Sequence, residues 1–335
     1  MSVSKPFPFR SNAVVTAIGS YVPERVLTNG DLEKLVDTSD EWIVQRTGIK
    51  ERRIAADNQF ASDLSIAAVD DMIRRYGVTV EDVDYIIVAT STPDTVFPSV
   101  ASRVQAHYGM KDCGAADMQA ACAGFTAAIQ LASGLLLSGA HRKVLVIGAE
   151  TLSKITDYTD RTTCILFGDG AGAVLMETAA DGQGDLLAAY ARTDGDRGHL
   201  LYRCALSPAI GEHGILTNGY IVQNGREVYR WAISEVAEGI NALLDRGGLS
   251  PSEVDWFIPH SANMRIIEAL CERTGIALDR ALSSIKHFGN TSAASIPLAI
   301  DEAVKAGSVR PGQLMLLYGF GGGLTQAGVI LRWSL

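Results

Sequence analysis

The 335-residue chain has few of the features that mark secreted, metal-binding or nucleic-acid-binding proteins. Its five cysteines are odd in number and scattered without a Cys-x-x-Cys pair, so the sequence predicts neither a disulfide framework nor a zinc site. Its net charge of −9 argues against a nucleic-acid partner. Unpaired cysteines persist best in a reducing compartment, and a cytoplasmic location is therefore expected.

Long apolar segments are also missing. Residues 1–12 carry Lys5 and Arg10 and no apolar stretch, which is unlike a secretory signal. The longest uncharged segment, 123–140, is interrupted by serine, threonine and glutamine, which predicts a buried core helix and no membrane insertion. The chain also has none of the fingerprints of serine hydrolases, zinc proteases, P-loop NTPases or dinucleotide-binding proteins.

What the sequence does have is an alternation of apolar strands and helices. Residues 84–90 and 143–148 are nearly continuous apolar runs, as expected of strands in a sheet that is covered on both faces. Three segments are predicted to be helices: 61–76, 227–247 and 261–274. This alternation predicts an α/β fold with mostly parallel sheets. Three other stretches are expected to be a glycine-rich turn (165–176), an edge strand (329–333) and a solvated or phosphate-binding basic segment (46–54).

Two parts of the chain resemble each other. GVTVEDVDYII at 77–87 and GLSPSEVDWFI at 248–258 lie 171 residues apart, and FGDG at 167–170 and FGGG at 320–323 form a second pair. The repetition predicts two copies of one βα unit about a pseudo-twofold axis, in a first half at 1–178 and a second half at 179–335. The strand of the second copy ends at His260, where the first copy has Ala89. Ligand sites form at such strand ends.

Cys122 is the candidate nucleophile. Small and apolar residues lead into it, and Phe125, Ala128 and Leu131 begin a helical period directly after it. The macrodipole and free N–H groups of a helix N-terminus favour a thiolate. The same N–H groups can hold the oxyanion of an acyl intermediate. A buried structural cysteine is the alternative interpretation.

The second half of the chain carries groups that would complete such a site. They are His260 in PHSAN (259–263), Asn290 in GNTSAA (289–294) and the glycine-rich segment FGGGLT (320–325). With a thiol these groups suit acyl transfer, and a histidine and an amide can also hold an enolate oxygen while CO2 leaves. His287 rivals His260, but the strand-end position favours His260.

These motifs resemble those of the β-ketoacyl-acyl carrier protein synthase III family of the thiolase-like superfamily. The resemblance also rests on SDEWIVQRTG at 39–48, AACAG at 120–124 and FGDGAG at 167–172. It implies a duplicated five-layer αβαβα fold with two mixed sheets. It implies decarboxylative condensation of a short acyl-CoA with malonyl-acyl carrier protein through an acyl-cysteine, in a homodimer without cofactor or metal.

The resemblance also implies roles for individual residues. Cys122, His260 and Asn290 would form the catalytic triad, and the backbone N–H groups of Cys122 and Gly322 would form the oxyanion hole. Phe97 would reach the acyl pocket of the partner subunit. The residues implied for binding coenzyme A are Trp42, Arg46, Arg161 and Asn263. Those implied for docking the carrier protein are Ser261, Ala262, Asn263, Met264, Arg265 and Arg230.

A few positions depart from the family pattern. Ser261 stands where many members have glutamine, and Thr162 stands where glycine is frequent, while Arg226 and Tyr229 differ near the coenzyme A channel. These departures bear on docking and primer choice and leave the mechanism intact. The rival functions are a starter-condensing enzyme or acyltransferase of polyketide metabolism, a cysteine hydrolase of thioesters, and a non-catalytic carrier-protein scaffold.

Overall fold

A computed structural model describes residues 9–335 of the chain. The strands are β1 (Ala13–Tyr21), β2 (Arg25–Thr28), β3 (Glu51–Ile54), β4 (Tyr85–Ala89), β5 (Gly114–Met118), β6 (Lys143–Thr151), β7 (Asp169–Thr178), β8 (Leu186–Thr193), β9 (Leu201–Arg203), β10 (Ala209–Ile210), β11 (His213–Gly214), β12 (Ile221–Gln223), β13 (Trp256–Pro259), β14 (Leu314–Gly321) and β15 (Thr325–Arg332). The α-helices are α1 (Asn29–Leu32), α2 (Asp40–Thr47), α3 (Ala61–Tyr76), α4 (Val100–Tyr108), α5 (Gly124–Leu137), α6 (Gly225–Trp231), α7 (Ala237–Gly247), α8 (Met264–Thr274), α9 (Ile285–Phe288) and α10 (Ser295–Lys305). A π-helical turn, Ala232–Val236, joins α6 to α7.

Two mixed sheets lie at the centre of the fold. The first has the strand order β1-β7-β6-β4-β5 and the second the order β13-β14-β15-β8. In the first sheet Tyr85 of β4 pairs in parallel with Val144 of β6, and in the second Trp256 of β13 pairs in parallel with Met315 of β14. Both members of the second pair lie 171 residues after those of the first. The predicted duplication is therefore confirmed, whereas the boundary between 178 and 179 stays a prediction.

The helices form three layers around these sheets. α3 and α4 pack on the outer face of the first sheet, and α7 and α8 pack on the outer face of the second. α5 and α10 lie between the sheets, where their side chains share one apolar core with strands of both. The order of layers is helix, sheet, helix, sheet, helix, which confirms the predicted αβαβα architecture.

α5 is the long uncharged segment of the sequence. Its side chains Phe125 and Ile129 are buried in the central core. Within residues 9–335 no helix combines the length and the apolar character that crossing a membrane requires. The prediction of a buried core helix is confirmed.

Residues at both ends define α2, the helix that carries Trp42 and Arg46 of the cavity described below. The Ser39 hydroxyl accepts a hydrogen bond from the backbone N–H of Trp42 at 3.2 Å and so caps α2. Gly48 ends α2 with a φ of 79°. A Cβ at Gly48 would lie 2.6 Å from the Cβ of Met264, so this position also lets α2 approach α8 closely.

Three glycine-rich or terminal segments differ from expectation. Within residues 165–176 the glycines do not form the turn: the turn ends at Leu166, and Gly170 and Gly172 lie inside β7. A Cβ at Gly172 would lie 2.6 Å from the Cβ of Pro297 in α10. The glycines are needed there because α10 packs directly on the strand. β15 lies between β14 and β8, so it is an interior strand and not an edge strand. FGDG and FGGG do not correspond in the fold, because Phe167 precedes β7 whereas Phe320 lies in β14.

In two further segments, a polar residue has a different place from the one that the sequence predicted. The basic stretch 46–54 ends in β3, where Arg52 is fully buried and donates to Asn29 Oδ1 at 2.6 Å and to the carbonyl of Ile165. Arg52 therefore supports the fold and cannot contact a phosphate in solution. The predicted helix at 261–274 begins only at Met264, because Asn263 is its N-cap and accepts from the N–H of Arg265 at 2.9 Å.

Candidate active site

A cavity of about 740 Å³ contains residues from both halves of the chain. Cys122 from the first half lines it together with His260, Asn290 and Gly322 from the second. His287 does not line it: its ring is 51% exposed and lies 3.3 Å from Glu51. The structure therefore places His260, and not its rival, in the same cavity as the thiol.

Close backbone packing presents Cys122 to this cavity. Cys122 lies in the single turn Ala121–Ala123, directly before α5, as the sequence predicts. Ala121 has a φ of 44°, a left-handed conformation that is uncommon for alanine. A Cβ at Gly321 would lie 3.0 Å from the Cys122 sulfur, and one at Gly124 would lie 2.9 Å from the Cβ of Ala89. Only glycine leaves room at these two positions.

The expected preference for a thiolate is wrong for this cysteine. Burial raises the pKa of Cys122 to about 12, and the hydroxyl of Ser292 opposes that rise only in part. The Glu150 carboxyl raises the pKa further through its negative charge. Burial disfavours a charged thiolate. It therefore opposes the effect of the helix N-terminus and favours the neutral thiol of Cys122.

His260 directly follows β13 and is buried. Its backbone N–H donates to the carbonyl of Tyr318 at 2.8 Å, and its Nδ1 lies 2.7 Å from Ser295 Oγ. Ser295 Oγ also accepts the N–H of Ser261 at 3.3 Å. When the Ser295 hydroxyl donates its own proton to Nδ1, the proton of the neutral ring lies on Nε2. Burial lowers the pKa of His260 to about 3. The ring is therefore a neutral hydrogen-bond donor and a poor base.

Asn290 connects the two halves. Its N–H donates to the carbonyl of Leu166 at 2.8 Å, and its carbonyl accepts from Gly168 at 3.0 Å. Its side-chain Oδ1 accepts the N–H of Ser292 at 2.9 Å, which leaves the amide N–H2 as the free group. A neutral histidine and an amide in one cavity can both donate to an oxygen that gains negative charge.

Gly322 lies next to the turn that carries Cys122. A Cβ at Gly322 would be 3.6 Å from the Cβ of Ala121 and 3.0 Å from the carbonyl oxygen of Leu201. The backbone of the FGGGLT segment thus reaches the first half at the cysteine turn. This proximity is what an oxyanion hole shared by Cys122 and Gly322 requires.

The opening of the cavity is basic, although the chain as a whole is acidic. Five exposed arginines line it, and none of its lining residues is aspartate or glutamate. We call these five residues the arginine rim: Arg46, Arg203, Arg226, Arg230 and Arg265. Such a rim attracts an anionic partner despite the net charge of −9, because distant charges are screened within about 10 Å.

Trp42 lies beside this rim. Its ring has the guanidinium of Arg46 at 5.7 Å and that of Arg161 at 4.9 Å from the ring centroid. Arg161 does not line the cavity and also donates to the carbonyl of Asp37 at 2.8 Å. Because Arg161 already stacks on Trp42, an adenine would enter between the two only after Arg161 moves.

The residues implied for carrier-protein docking occupy different environments. Arg265 is exposed and donates to the carbonyl of Gln45 at 3.1 Å, while Arg230 is exposed and pairs with Glu227 at 2.8 Å. Ala262 and Asn263 line the cavity, whereas Met264 packs against Gly48. Ser261 is fully buried, and its hydroxyl accepts from the N–H of Ser284 at 3.0 Å. The side chain of Ser261 is therefore out of reach of a docked protein.

Sequence reasoning missed two residues beside the thiol. Glu150 and Ser292 both influence the pKa of Cys122, and neither was named as a site residue from the sequence. A signal for Glu150 was present, because it is a lone carboxylate after the apolar run of β6. Ser292 lies inside GNTSAA, but only the fold shows that it faces the other half.

The fold and the cavity together define a thiolase-like condensing enzyme that transfers acyl groups. The chain matches the family model of 3-oxoacyl-[acyl-carrier-protein] synthase III over residues 116–195 and the model of that family's C-terminal region over residues 244–333. It is 55% identical over 325 residues to β-ketoacyl-[acyl-carrier-protein] synthase III 2 of Halalkalibacterium halodurans, which covers 97% of this chain and 98% of the relative. The chain therefore belongs to the 3-oxoacyl-[acyl-carrier-protein] synthase III family.

Two solved structures resemble this one over almost their whole length. The β-ketoacyl-[acyl carrier protein] synthase III of Thermus thermophilus is 44% identical with a TM-score of 0.92, covering 96% of this chain and 99% of that one. The priming β-ketosynthase of the R1128 polyketide biosynthetic pathway is 32% identical with a TM-score of 0.88, covering 98% of each chain. The fold is thus shared by a β-ketoacyl-[acyl carrier protein] synthase III and by a priming β-ketosynthase of a polyketide pathway.

Proposed function

We propose that this enzyme condenses a short acyl-CoA with malonyl-acyl carrier protein, with loss of CO2, and so begins fatty-acid synthesis. The observation that carries the proposal is the shared cavity, in which a thiol from one half meets a neutral histidine and an amide from the other. A thiol accepts an acyl group, and two neutral donors stabilise an enolate without protonating the carboxylate that must leave.

The first half-reaction is acylation. The Cys122 sulfur attacks the thioester carbonyl of acyl-CoA, and the negative charge on the carbonyl oxygen is held by the backbone N–H groups of Cys122 and Gly322. Coenzyme A leaves with its sulfur protonated, and the acyl group stays on Cys122. The nearness of Gly322 to Ala121 supports this oxyanion hole.

The second half-reaction is decarboxylation and condensation. The thioester oxygen of malonyl-carrier protein accepts hydrogen bonds from His260 Nε2–H and the Asn290 amide. Breaking the bond to the carboxylate releases CO2 and leaves an enolate, whose carbon attacks the acyl-cysteine and frees the thiolate. The neutral state of His260 supports a donor role, because its pKa is lowered to about 3 by burial.

Substrate binding would use the basic opening of the cavity. Trp42, Arg46, Arg161 and Asn263 would hold coenzyme A, with Arg161 moving off the Trp42 ring to admit the adenine. The carrier protein would dock on Arg230 and Arg265 and on the surface around Ala262 and Met264, but not on the buried side chain of Ser261. The arginine rim supports both assignments, since phosphates and acidic proteins are anions.

The assembly and location also remain proposals. Val96 and Phe97 are 91% and 84% exposed, and large neighbouring apolar side chains at that exposure favour burial against another subunit. Phe97 would then reach the acyl pocket of the partner subunit in a homodimer. The five free cysteines favour a reducing compartment such as the cytoplasm.

A condensation assay tests the function. The enzyme is incubated with a panel of straight and branched acyl-CoAs and malonyl-carrier protein, and the products are identified by mass. We expect a 3-oxoacyl-carrier protein and one CO2 per turnover. Free acid without a condensed product would instead show a thioester hydrolase, and acyl transfer without CO2 would show a non-decarboxylating acyltransferase.

The similarity to the R1128 priming enzyme makes starter condensation in polyketide synthesis the second candidate. The same assay separates the two candidates when it includes carrier proteins from both kinds of pathway. A higher kcat/KM with the fatty-acid carrier protein supports the first proposal, and a higher value with the polyketide carrier protein supports the second.

A further inference from the structure

Residues 90–99, which we call the linking segment, connect the cavity to an exposed apolar tip. The segment begins directly after β4, and its residue Ser91 lines the cavity that holds Cys122. It ends at Ser99, the N-cap of α4. Between these points the side chain of Phe97 is 84% exposed. The residues that hold this segment in place have no part in the mechanism above.

The Glu150 carboxyl holds the end of the linking segment that lies at the cavity. Glu150 is near the end of β6 and is 0% exposed. Both of its oxygens accept the N–H of Ser91 at 3.1 Å, and its Oε2 accepts from Thr92 Oγ1 at 2.6 Å. Thr92 Oγ1 in turn accepts the N–H of Thr151 at 2.8 Å. The carboxyl therefore joins the chain after β4 to the end of β6.

These hydrogen bonds fix one wall of the cavity beside the thiol. The strands β6, β4 and β5 are parallel neighbours, so their carboxyl ends meet at one edge of the sheet. Cys122 follows β5, Ser91 follows β4 and Leu152 follows β6, and all three line the cavity. Neighbouring strands lie about 5 Å apart. An acyl chain on the Cys122 sulfur that runs along this edge would meet Ser91 first and Leu152 next.

The Asp94 carboxyl holds the middle of the linking segment, and its side chain is 4% exposed. Its Oδ1 accepts the N–H of Ser62 at 3.0 Å and its Oδ2 accepts the Ser62 hydroxyl at 2.6 Å, which attaches the segment to the start of α3. The guanidinium of Arg103 in α4 lies 3.3 Å from Oδ2. Directly after Asp94, Thr95 Oγ1 donates to the carbonyl of Pro98 at 2.8 Å, which closes the exposed tip.

We propose that Glu150 and Asp94 are positioning residues that hold the linking segment and thereby set which acyl chains the enzyme accepts as primers. The proposal deepens the proposed function and rests on acylation of Cys122 and on Phe97 reaching the pocket of the partner subunit. Glu150 acts through Ser91 on the pocket of its own subunit. Asp94 acts through Phe97 on the pocket of the partner subunit. One segment thus shapes two acyl pockets in the dimer.

The first test removes the carboxylate and keeps the size of the side chain. In Glu150→Gln the amide N–H2 replaces an acceptor and faces a donor of the linking segment, so the wall at Ser91 loosens. The kcat/KM is measured with straight acyl-CoAs from acetyl-CoA to octanoyl-CoA. We expect the ratio of octanoyl-CoA to the preferred short primer to rise by about 10-fold. A merely destabilised enzyme would lose activity with all primers alike and leave this ratio unchanged.

A milder pair of variants tests the same wall if Glu150→Gln does not fold. Thr92→Val keeps the shape of the side chain and loses the hydroxyl that joins Glu150 to Thr151, whereas Thr92→Ser keeps that hydroxyl. Thr92→Val should raise the same ratio, and Thr92→Ser should restore the value of the unmodified enzyme.

The second test concerns the exposed tip. Asp94→Asn should change the primer ratio by about 3- to 10-fold. The matched control is Asp63→Asn, because Asp63 also lies at the start of α3 but accepts from the N–H of Phe60 at 2.8 Å, outside the linking segment. In a Phe97→Ala background Asp94→Asn should have no further effect, whereas Glu150→Gln should keep its full effect.

Three results would overturn the proposal. They are an unchanged ratio in Glu150→Gln or Thr92→Val, equal ratios in Asp94→Asn and Asp63→Asn, and an undiminished effect of Asp94→Asn in the Phe97→Ala background. The proposed function fails separately, if no acyl-CoA leaves an adduct on Cys122 of the unmodified enzyme in intact-mass measurements.

Discussion

The two halves of the molecule share one backbone plan and carry different chemistry on it. The residue 171 positions after Cys122 is Ala293, and the residue 171 positions after Ala89 is His260. Each half therefore has one reactive side chain where the other has a methyl group. The nucleophile occurs only in the first copy and the strand-end imidazole only in the second.

The backbone at these equivalent places is nearly the same. Ala121, before the cysteine, has a φ of 44°, and Ser292, before Ala293, has a φ of 46°. The contacts across the molecule are also paired: a Cβ at Gly148 would lie 2.4 Å from the Ala293 carbonyl oxygen, and one at Gly319 would lie 2.9 Å from the Cys122 carbonyl oxygen. The duplication thus supplies two matching turns, each held against the opposite sheet.

The differences lie in side chains that surround these turns. In the first half Gly124 leaves room for Ala89, and in the second the equivalent Ser295 holds the ring of His260 at 2.7 Å. Where Gly321 makes room for the cysteine, the equivalent residue of the first half is Glu150. Under the proposed mechanism, one half of this shared scaffold accepts the acyl group and the other half stabilises the enolate.

The largest effect is expected when the cysteine is moved from position 122 to the equivalent position 293 of the second half. In the double variant Cys122→Ala with Ala293→Cys, the new thiol occupies the equivalent turn but faces Glu150 where Cys122 faces Gly321. We expect no acyl adduct on Cys at 293 and a loss of acylation of at least about 1,000-fold. Intact mass after incubation with acyl-CoA measures this. Ala293→Cys alone is the control for folding, and an adduct on the transplanted cysteine would contradict the assignment.

A smaller change closes the space that the glycine leaves. In Gly321→Ala the added methyl would lie 2.9–3.0 Å from the Cβ, N and Sγ atoms of Cys122. Overpacking of this kind costs about 1–3 kcal/mol, so acylation should slow by about 10- to 100-fold. Gly134→Ala is a matched control in α5, because nothing lies within 4 Å of its added methyl. Equal rates in the two variants would show that the close contact is unimportant.

The pH dependence of alkylation tests whether burial raises the pKa of Cys122. Because burial raises the pKa of Cys122 to about 12, its alkylation by iodoacetamide should rise about tenfold per pH unit from pH 7 to 9. Peptide mass mapping separates Cys122 from the other cysteines. A plateau of alkylation below pH 8 would mean that the thiolate is already formed.

The smallest expected effect concerns the arginine rim. Arg265→Glu should raise the KM for malonyl-carrier protein by about 3- to 10-fold, because a repulsion replaces an attraction at the cavity opening. Added salt should reduce the difference. The control Arg273→Glu reverses a charge at the other end of α8, away from the cavity. Equal KM values for the two variants would place the docking surface elsewhere.

Local signals in the sequence were sufficient for much of the fold. The helix predicted at 61–76 agrees with α3, which ends at Gly77 with a φ of 64°. The prediction succeeds because a helix and its C-cap depend on residues that are neighbours in the sequence. The strands at 84–90 and 143–148 agree with β4 and β6 for the same reason. The internal repeat predicted two related sheets, and the family resemblance predicted how sheets and helices are layered.

Features that depend on contacts distant in sequence were not predictable. The high pKa of Cys122 comes from burial by the opposite half, which outweighs the helix N-terminus that the sequence shows. Ser261 is held by Ser284, which lies 23 residues later in the chain, and Arg52 is held by Asn29 and Ile165. Glu150 and Ser292 meet only because the two copies pack face to face.

The variant His260→Ala tests most directly whether the two halves of the molecule carry out different half-reactions. This variant is incubated with acyl-CoA, then with malonyl-carrier protein, and the intact protein mass is measured after each step. We predict that Cys122 acquires its acyl group at close to the normal rate and keeps it after malonyl-carrier protein is added, with no release of CO2. Absence of the adduct, or its normal discharge, would contradict the division.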